Sequence, residues 1–550
     1  MPYPKTQTAL MYDAETEEIV AWGYPAATMA LHLPSAQADK CVYIDRVKLL
    51  LDEEWAASAQ GRQVLLRLPN RSIPRIIADF LGKMIEQIRV DFGTSGRTFD
   101  VDSIRWVLTV PAMWTDASKD LMREAAFLSG MIASRDSPNL VLCFEPEAAL
   151  LSSSFPPNDM AFDDVVLSVD VGGGTADMSA MEMTEDATAP FGRKFNEVIP
   201  SRGTVNGSII IDTMFEKYIE DQVGHEAWTA LRNDTGAWAK VMAQWVSIKC
   251  GFDPASPTTA DLTLPRAALK AIRGATSELS FHGLLSGGLD ATSESEDDGW
   301  EDSFEDTILI PAATLLRIIG PVVDAVVALA AEMVRDCDLM DKPVAKVFVV
   351  GGFASSRYLL KQLRAALQLV NPAISVAVPS IPGSAVLTGA VLYGMAPKIV
   401  ATRVLQRTYG FGQAVPTADA RFEGMDTSEW APVSVNGVHS FMHVFTPLAT
   451  KGESVSASEM RSTTTRALIN GQQSIALNIF AVEEDLARVI RTTNPLCKQI
   501  GAIEIATTPG SWDESFEVKL EFGSSEIQVY LTSSASGETR STPICYDLHE

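Results

Sequence analysis

The chain has few cysteines, and those it has are scattered. Its six cysteines in 550 residues include no Cys-x-x-Cys pair, which excludes the usual zinc-binding and thioredoxin-type motifs and argues against a disulfide framework. We therefore expect free thiols in a reducing compartment, which is the cytoplasm by default, with the nucleus also open. Residues 1–8 contain no apolar run, so we expect no secretory signal there.

Basic residues are also scarce. The chain has 44 Lys and Arg against 70 Asp and Glu, a net charge of −26, which argues against nucleic acid or an anionic membrane as the main partner. The most apolar helical stretch, residues 321–334, contains Asp324 and Glu332 and is expected to be too short to span a bilayer. A hydrophobic content of 46% in so long a chain indicates several soluble globular domains.

The chain contains no Gly-Lys-Ser or Gly-Lys-Thr tripeptide, which excludes a P-loop. It has instead a glycine-rich turn between two apolar strands in residues 165–179. The first strand ends at Asp170, and the second begins at Thr175, with Asp177 two residues further on. Three consecutive glycines form the turn: Gly172, Gly173 and Gly174.

Such a turn suits a phosphate group. Glycines let successive backbone N–H groups curl into a concave anion-binding nest that no side chain blocks. Thr175 adds a hydroxyl donor, and Asp170 at the strand end is placed to hold hydrated Mg²⁺ beside the phosphates. An ordinary tight hairpin is the alternative, and for three glycines alone we would favour it. The flanking Asp170, Thr175 and Asp177 lead us to predict a phosphate site.

Strands alternate with helices over residues 104–393. The pattern predicts strands at 104–110, 140–145, 344–350 and 374–378, and helices at 146–151, 209–222, 355–369 and 384–393. It also predicts that Thr115 caps a helix after the first of these strands. Because the alternation occurs twice, it predicts a two-lobed α/β unit. From about Thr408 onward, short runs of alternating apolar residues predict an all-β domain, a sandwich. The acidic run at 290–306 is expected to be a solvated insertion, with a docking loop as the alternative.

Several motifs occur in the order found in one protein family. They are Val107–Ala112, Glu145–Ala149, Asp170–Asp177, Val349–Phe353 and Gly389–Gly394, with Arg407–Gly410, Phe445–Leu448 and Glu517–Gly523 in the β domain. On these residues the chain resembles the heat shock protein 70 chaperones of the actin-like ATPase superfamily. The resemblance is greatest to the lidless branch typified by heat shock 70 kDa protein 12. The motifs span nearly the whole chain, although each one alone is weak.

The resemblance implies an α/β fold in which a two-lobed actin-like ATPase domain, with ribonuclease H-like halves, precedes an all-β sandwich domain. The implied boundaries are residues 1–395 for the nucleotide-binding domain, 396–407 for a linker and 408–546 for a domain like the substrate-binding one. ATP or ADP with Mg²⁺ would bind between the lobes. The implied partners are extended peptide segments of client proteins, together with co-chaperones.

The resemblance also implies roles for single residues. The catalytic set is Glu145, near the metal ion and the attacking water, with Asp170 as the metal-site carboxylate and Thr175 in the phosphate loop. Lys249 corresponds to a lysine of the adenine pocket. The implied nucleotide-binding set is Gly172, Gly173, Gly174, Asp177, Gly207, Lys249, Gly351 and Gly352.

The chain also departs from the family pattern. The first phosphate loop, Asp-x-Gly-Thr-Thr, has no counterpart, because no glycine occurs among the first 22 residues. The catalytic lysine of the family is expected near Ala27 or Thr28, neither of which carries a charge. Val246 and Cys250 stand where the adenine pocket has a glutamate and an arginine. The acidic, leucine-rich linker motif is missing.

Three functions remain open on these residues. The first is an ATP-binding, chaperone-type protein that couples nucleotide state to a peptide-binding β domain and hydrolyses ATP if the site is active. The second is a scaffold or interaction protein that keeps the fold without catalysis, which the missing loop and lysine favour. The third is a sugar or glycerol kinase of the same superfamily, against which the all-β domain argues.

Overall fold

The structure is a computed structural model. It describes residues 5–32, 40–154, 160–233, 235–255, 259–264, 307–435, 437–457, 459–466, 473–484, 486, 488–508, 514–522 and 526–543. The fold is mixed α/β. The predicted acidic insertion at 290–306 lies outside the described residues. The five described cysteines, at 41, 143, 250, 337 and 497, are free, as expected.

The N-terminal unit, residues 5–153, holds two small sheets and six helices among its described residues. Its elements are β1 (Leu10–Asp13), β2 (Ile19–Trp22), α1 (Gly23–His32), β3 (Cys41–Ile44), α2 (Glu53–Ala56), α3 (Ala59–Arg67), α4 (Ile73–Thr94), β4 (Trp106–Val110), α5 (Asp116–Leu128), β5 (Leu140–Phe144) and α6 (Glu145–Ser153). A 3₁₀ helix, Val47–Leu51, follows β3. Strands β2-β1-β3 form one antiparallel sheet, and β4 pairs with β5 in parallel. Thr115 caps α5 as predicted, because its side chain accepts a hydrogen bond from the Ser118 N–H.

The central unit, residues 160–404, is built on one large sheet. Its elements are β6 (Val165–Val171), β7 (Ala176–Glu185), β8 (Arg193–Thr204), α7 (Ser208–Val223), α8 (His225–Asn233), α9 (Thr235–Gly251), β9 (Ala260–Thr263), β10 (Thr307–Ile310), α10 (Ala312–Leu339), β11 (Val344–Val350), α11 (Arg357–Val370), β12 (Ser375–Ala377), α12 (Ala385–Met395) and β13 (Val400–Val404). All seven residues of β6 are buried, as expected for a strand covered on both faces. Helices α7 to α11 pack on one face of the sheet, whereas α6 and α12 pack on the other.

Helix α10 is the one described helix that is long and apolar enough to cross a membrane. It has 28 residues, so the expectation that this stretch is too short was wrong. Its apolar side nevertheless lies in the core of the central unit, from Leu315 to Cys337. On its other side Glu332 and Asp336 form ion pairs with Arg202 of β8. These contacts are those of a core helix.

The C-terminal unit consists of two antiparallel sheets that share one core. Its strands are β14 (Thr408–Pro416), β15 (Val433–Val435), β16 (Val438–Ala449), β17 (Ser454–Ser456), β18 (Met460–Arg466), β19 (Ser474–Val482), β20 (Lys498–Ala506), β21 (Ser515–Glu521), β22 (Gln528–Ser533) and β23 (Thr539–Pro543). One sheet has the order β15-β16-β14-β19-β20 and the other β18-β21-β22-β23. Phe411 and Ile479 of the first sheet and Phe516 and Leu520 of the second lie in the same buried cluster.

The central and C-terminal units are joined through the central sheet. Its strand order is β12-β11-β6-β7-β8-β13-β17. Strand β13 lies within the predicted linker and pairs in parallel with β8. Strand β17 comes from the C-terminal unit and pairs with β13 in the antiparallel sense. The predicted linker therefore contains a strand, and the sheet continues from one unit into the next.

Candidate functional site

The predicted glycine-rich turn joins the end of β6 to the start of β7, two inner strands of the central sheet. Asp170 lies opposite Asp177 across the hairpin and opposite Val350 of the neighbouring parallel strand β11. The Gly172 N–H donates to the Thr175 carbonyl at 2.9 Å and closes the turn. The apolar strands are buried, whereas the turn itself is partly exposed. A strand, turn and strand therefore occur where the sequence predicts them.

Helix α7 begins directly against this turn. The Ser208 N–H donates to the Gly172 carbonyl at 3.0 Å, and the Ile209 N–H donates to the Gly173 carbonyl at 2.9 Å. A trans peptide holds its C=O and the following N–H on opposite sides. The N–H groups of Gly173 and Gly174 therefore point away from α7, toward the open side of the turn. This is the orientation that a phosphate nest requires.

Gly207 allows this close approach. A Cβ on Gly207 would lie 2.1 Å from the carbonyl oxygen of Gly173, so no other residue fits here without moving the turn. Gly207 also precedes the first turn of α7, whose N-terminus carries a partial positive charge. Gly207 therefore lies beside the glycine-rich turn, and its implied contact with the nucleotide stays a prediction.

Asp170 lies at the end of β6 and is only 6% exposed. Burial, followed by the charges of Glu145 and Asp177, raises the pKa of Asp170 to about 8, although Lys5 and Lys48 act in the opposite direction. Gly351 makes room for this carboxylate. With φ at +91° its Cβ would lie 2.4 Å from the Asp170 Oδ1, so glycine is required for both conformation and space.

Asp177 is fixed to the N-terminal unit. Its Oδ1 accepts a hydrogen bond from the Ala112 N–H at 2.8 Å, directly after Pro111. Burial and the charge of Glu145 raise the pKa of Asp177 to about 7, while hydrogen bonds from Thr175 and Ala112 lower it. Asp177 thereby links the glycine-rich turn to the unit that carries Glu145.

Lys48 is a candidate site residue that the sequence motifs did not indicate. Its ammonium forms an ion pair with Glu145. It also donates to the Thr109 carbonyl at 3.2 Å and lies 5.4 Å from the Trp114 ring centroid. The 3₁₀ helix after β3 places it there. The available signal was a single charge inside the apolar run Val47–Leu51.

Part of this arrangement borders a cavity of about 920 Å³ between the N-terminal and central units. Its described lining includes Lys48, Glu145 and the whole glycine-rich turn from Gly172 to Thr175. The volume is in the range of small-molecule and cofactor sites. The Lys48 ammonium, the Thr175 hydroxyl and the main chain of the turn therefore meet the half-buried Glu145 carboxylate in this cavity.

The carboxylates fit a hard divalent cation. The charges of Glu145 and Asp177 raise the pKa of Asp170, and the charge of Glu145 raises the pKa of Asp177. Such a concentration of negative charge attracts a metal ion. Within the described chain no group of three or more His, Cys, Asp or Glu side chains is arranged as a ready metal site. Mg²⁺ usually takes one or two carboxylates together with water and phosphate oxygens, so Asp170 stays the predicted metal ligand.

Several residues of the predicted site do not border the cavity. The described residues that line it do not include Asp170, Asp177, Gly207, Lys249, Gly351 or Gly352. The Lys249 ammonium donates to the Asp212 Oδ1 at 2.6 Å and lies 5.9 Å from the Phe353 ring centroid. Phe353 is buried in the core of the central unit. The structure brings Lys48, Glu145 and the glycine-rich turn together at the cavity. Lys249 and Phe353 do not line it, whereas Gly351 lies directly against Asp170.

The chain is similar to one family model and to several known proteins. A family model described as a domain of unknown function, DUF8340, matches residues 161–260, which include the glycine-rich turn, Gly207 and Lys249. Human heat shock 70 kDa protein 12A is 24% identical over 97% of this chain and 84% of that protein. Human heat shock 70 kDa protein 12B is 22% identical over 96% of the chain and 83% of that protein. The chaperone protein HscA of Serratia proteamaculans (strain 568) is 24% identical over 38% of the chain and 30% of that protein. The resemblance to the heat shock protein 70 family, on its 12-like branch, is confirmed.

Proposed function

We propose that this protein binds a nucleoside di- or triphosphate with Mg²⁺. The proposal is supported by its similarity, along 97% of its length, to heat shock 70 kDa protein 12A. In this proposal the N-terminal and central units are the two lobes of an actin-like ATPase domain, and the C-terminal unit is the β-sandwich that binds extended peptide. The observation that carries the proposal is the meeting of the glycine-rich turn, Lys48 and Glu145 in one cavity. The Asp170 carboxylate, at the end of the strand that enters the turn, is close enough for Glu145 and Lys48 to act on its pKa.

Each group has a distinct task in the proposed complex. The main-chain N–H groups of the turn and the Thr175 hydroxyl would bind phosphate oxygens, and Lys48 would neutralise part of their charge. Asp170 would hold the hydrated ion, which supplies charge neutralisation at the phosphates when bound. Glu145 would orient a water molecule for in-line attack if hydrolysis occurs. The Lys48–Glu145 ion pair keeps both side chains in position before the ligand arrives.

Helix α6 offers a route from this site to the C-terminal unit. Glu145 and Glu147 lie in its first turn. Glu147 forms a buried ion pair with Arg403 of β13, the strand that leads into the C-terminal unit. The Val404 N–H donates to the Glu197 Oε2 at 2.8 Å. We therefore propose that movement of Glu145 on ligand binding is passed along α6 to the linker strand.

A further ion pair joins the N-terminal and C-terminal units directly. The Arg123 guanidinium of α5 contacts both oxygens of the Glu526 carboxylate, at 2.7 and 2.5 Å. Both side chains are largely buried. Arg407, just before β14, lies 3.5 Å from the Asp116 carboxylate at the start of α5. These contacts support coupling between the proposed nucleotide site and the β domain.

Calorimetric titration of Mg-ADP and Mg-ATP into the wild type and Gly173→Asp tests the proposal. A Cβ at Gly173 contacts only the flexible end of Ile209, at 3.2 Å, so the variant should fold while its carboxylate repels phosphate. Gly93→Asp is the matched control, because Gly93 is exposed and its Cβ meets no atom within 4 Å. We expect at least tenfold weaker binding for Gly173→Asp only. Equal affinities in all three proteins would remove the site.

The same samples separate an ATPase from a catalytically inactive scaffold. Release of phosphate from Mg-ATP by the wild type, absent in Glu145→Gln, is expected for the first function. Tight binding without turnover would favour the second. Binding of a labelled apolar peptide whose affinity differs between Mg-ADP and Mg-ATP would support the proposed coupling.

A further inference from the structure

Helix α12 has the composition of a fully buried helix, but one of its faces is open to solvent. Its 11 residues, Ala385–Met395, include no charged side chain. Leu387, Val391 and Met395 are nevertheless 60%, 58% and 66% exposed. A helix without a polar face is normally covered on every side. The exposed face of α12 therefore lacks the cover that its composition predicts.

The exposed side chains of α12 lie on one face of the helix. They are spaced four residues apart, which brings successive side chains above one another. We call Leu387, Val391 and Met395 the α12 stripe. At a rise of 1.5 Å per residue the stripe is about 12 Å long. Two turns of a second helix would cover it.

The opposite face of α12 holds the stripe in place. A Cβ on Gly389 would lie 1.6 Å from the Ala148 carbonyl oxygen of α6, and one on Gly394 would lie 2.6 Å from the Val107 side chain of β4. Tyr393 is completely buried on this side. The helix therefore cannot turn to bury the stripe without losing these contacts. A surface fixed in this way needs little further ordering when a partner binds.

Cationic side chains lie at the C-terminal end of α12. The Arg105 guanidinium donates to the Gly394 carbonyl at 2.9 Å, and Lys398 is exposed three residues beyond the stripe. The whole chain has a net charge of −26, and self-repulsion of that size disfavours a second copy as the partner. At the contact itself the two cations decide, because salt screens charges more than about 10 Å away. They favour acidic residues on the partner.

We propose that the α12 stripe docks an acidic amphipathic helix of another protein, whose aliphatic face covers the stripe and whose carboxylates lie beside the two cations. A helix suits this surface better than an extended segment, because side chains spaced four residues apart form a ridge that fits the groove of another helix. Among the described residues that line the nucleotide cavity, none belongs to α12. The inference is therefore independent of the proposed function.

The test measures fluorescence anisotropy of three labelled model peptides of about 18 residues, or five helical turns. The first peptide carries leucines along one helical face and glutamates on the other faces. The second carries lysines in place of the glutamates. The third has the composition of the first in an order that removes the helical spacing.

Two double variants separate the stripe from exposed apolar residues in general. Leu387→Gln with Val391→Gln removes most of the stripe. Leu339→Gln with Leu369→Gln is the matched control, because these leucines are 83% and 88% exposed near the ends of α10 and α11. Glutamine is a good helix former, so both variants should fold, which circular dichroism checks.

We expect the wild type to bind the glutamate peptide at least about tenfold more tightly than the reordered peptide, as burial of two aliphatic side chains allows. Leu387→Gln with Val391→Gln should abolish this preference, and the control should keep it. Arg105→Gln with Lys398→Gln should weaken binding of the glutamate peptide by about threefold and leave binding of the lysine peptide unchanged.

Equal affinities of the wild type for the glutamate and reordered peptides would overturn the inference. So would equal binding of the glutamate peptide by the wild type and the stripe variant, as expected if the C-terminal unit binds it. Tighter binding of the lysine peptide would refute the acidic partner. Sedimentation that shows a wild-type dimer lost in the stripe variant would assign the stripe to a second copy. Stripe-dependent binding to phosphatidylcholine and phosphatidylglycerol vesicles would assign it to a membrane.

Discussion

Replacing Lys48 by methionine should weaken binding of Mg-ATP while leaving the fold intact. Methionine keeps the length of the side chain but removes the ammonium group that pairs with Glu145. Two unit charges about 4 Å apart interact by roughly 4 kcal/mol at an effective dielectric constant of about 20. Because the Lys48 side chain is 34% exposed, solvent screening reduces this value. We expect a loss of about 1.5–3 kcal/mol, or about 10- to 100-fold in Kd.

Calorimetric titration of Mg-ATP at pH 7.5 measures this effect. Lys83→Met is the matched control, because Lys83 lies on α4 and forms an ion pair with Glu86, and it is not among the described residues that border the cavity. The control removes the same charge from the protein and should bind as the wild type does. Equal Kd values for Lys48→Met and Lys83→Met would refute the assignment of Lys48 to the phosphate end.

Three further changes should have measurable effects. Glu147→Gln should lower the free energy of unfolding, measured by urea titration, by about 3–5 kcal/mol, because Arg403 loses its buried partner. The double variant Glu147→Met, Arg403→Met should recover most of the lost stability, because it leaves no buried charge without a partner. Burial and then the charge of Glu147 raise the pKa of Glu197 to about 7. The folded state therefore favours the protonated form of Glu197, so the free energy of unfolding of the wild type should fall as the pH rises from 5 to 8. The fall should be less steep in Glu197→Leu, and equal slopes of unfolding free energy against pH in the two proteins would contradict this. Gly351→Ala should displace Asp170 and weaken Mg²⁺-dependent binding, and unchanged Mg²⁺ titrations would contradict the close contact.

Local patterns in the sequence were sufficient to predict the hairpin. An apolar run, three glycines and a second apolar run specify strand, turn and strand without distant information. Strand β11, Val344–Val350, was predicted with the observed bounds, and Thr115 caps its helix as expected. In each case the deciding interactions lie within a few residues, so the sequence contains them directly.

Lys48 could not be placed in the same way. It is 97 residues from Glu145, and the two meet only when β3 and β5 are folded into their separate sheets. The family pattern places its lysine near Ala27 and Thr28, which lie in helix α1. A charge within the apolar run Val47–Leu51 was the available sign, but such a charge is also common on half-exposed helices.

The junction between the central and C-terminal units was equally hidden. Arg403 and Glu147 are 256 residues apart, and the addition of the three-residue strand β17 to the central sheet has no pattern of its own. The short runs of alternating apolar residues that start near Thr408 indicated where the β strands begin. It did not indicate that β13 and β17 would extend the preceding sheet.

The central claim is that the glycine-rich turn binds phosphate. A crystal structure of the protein with ADP and Mn²⁺ in place of Mg²⁺ tests this most directly, because the anomalous signal locates the metal ion. The account predicts phosphate oxygens within hydrogen-bonding distance of the main-chain N–H groups of Gly173 and Gly174, with the metal ion beside Asp170. Density for ADP on another surface, with an empty turn, would contradict the account.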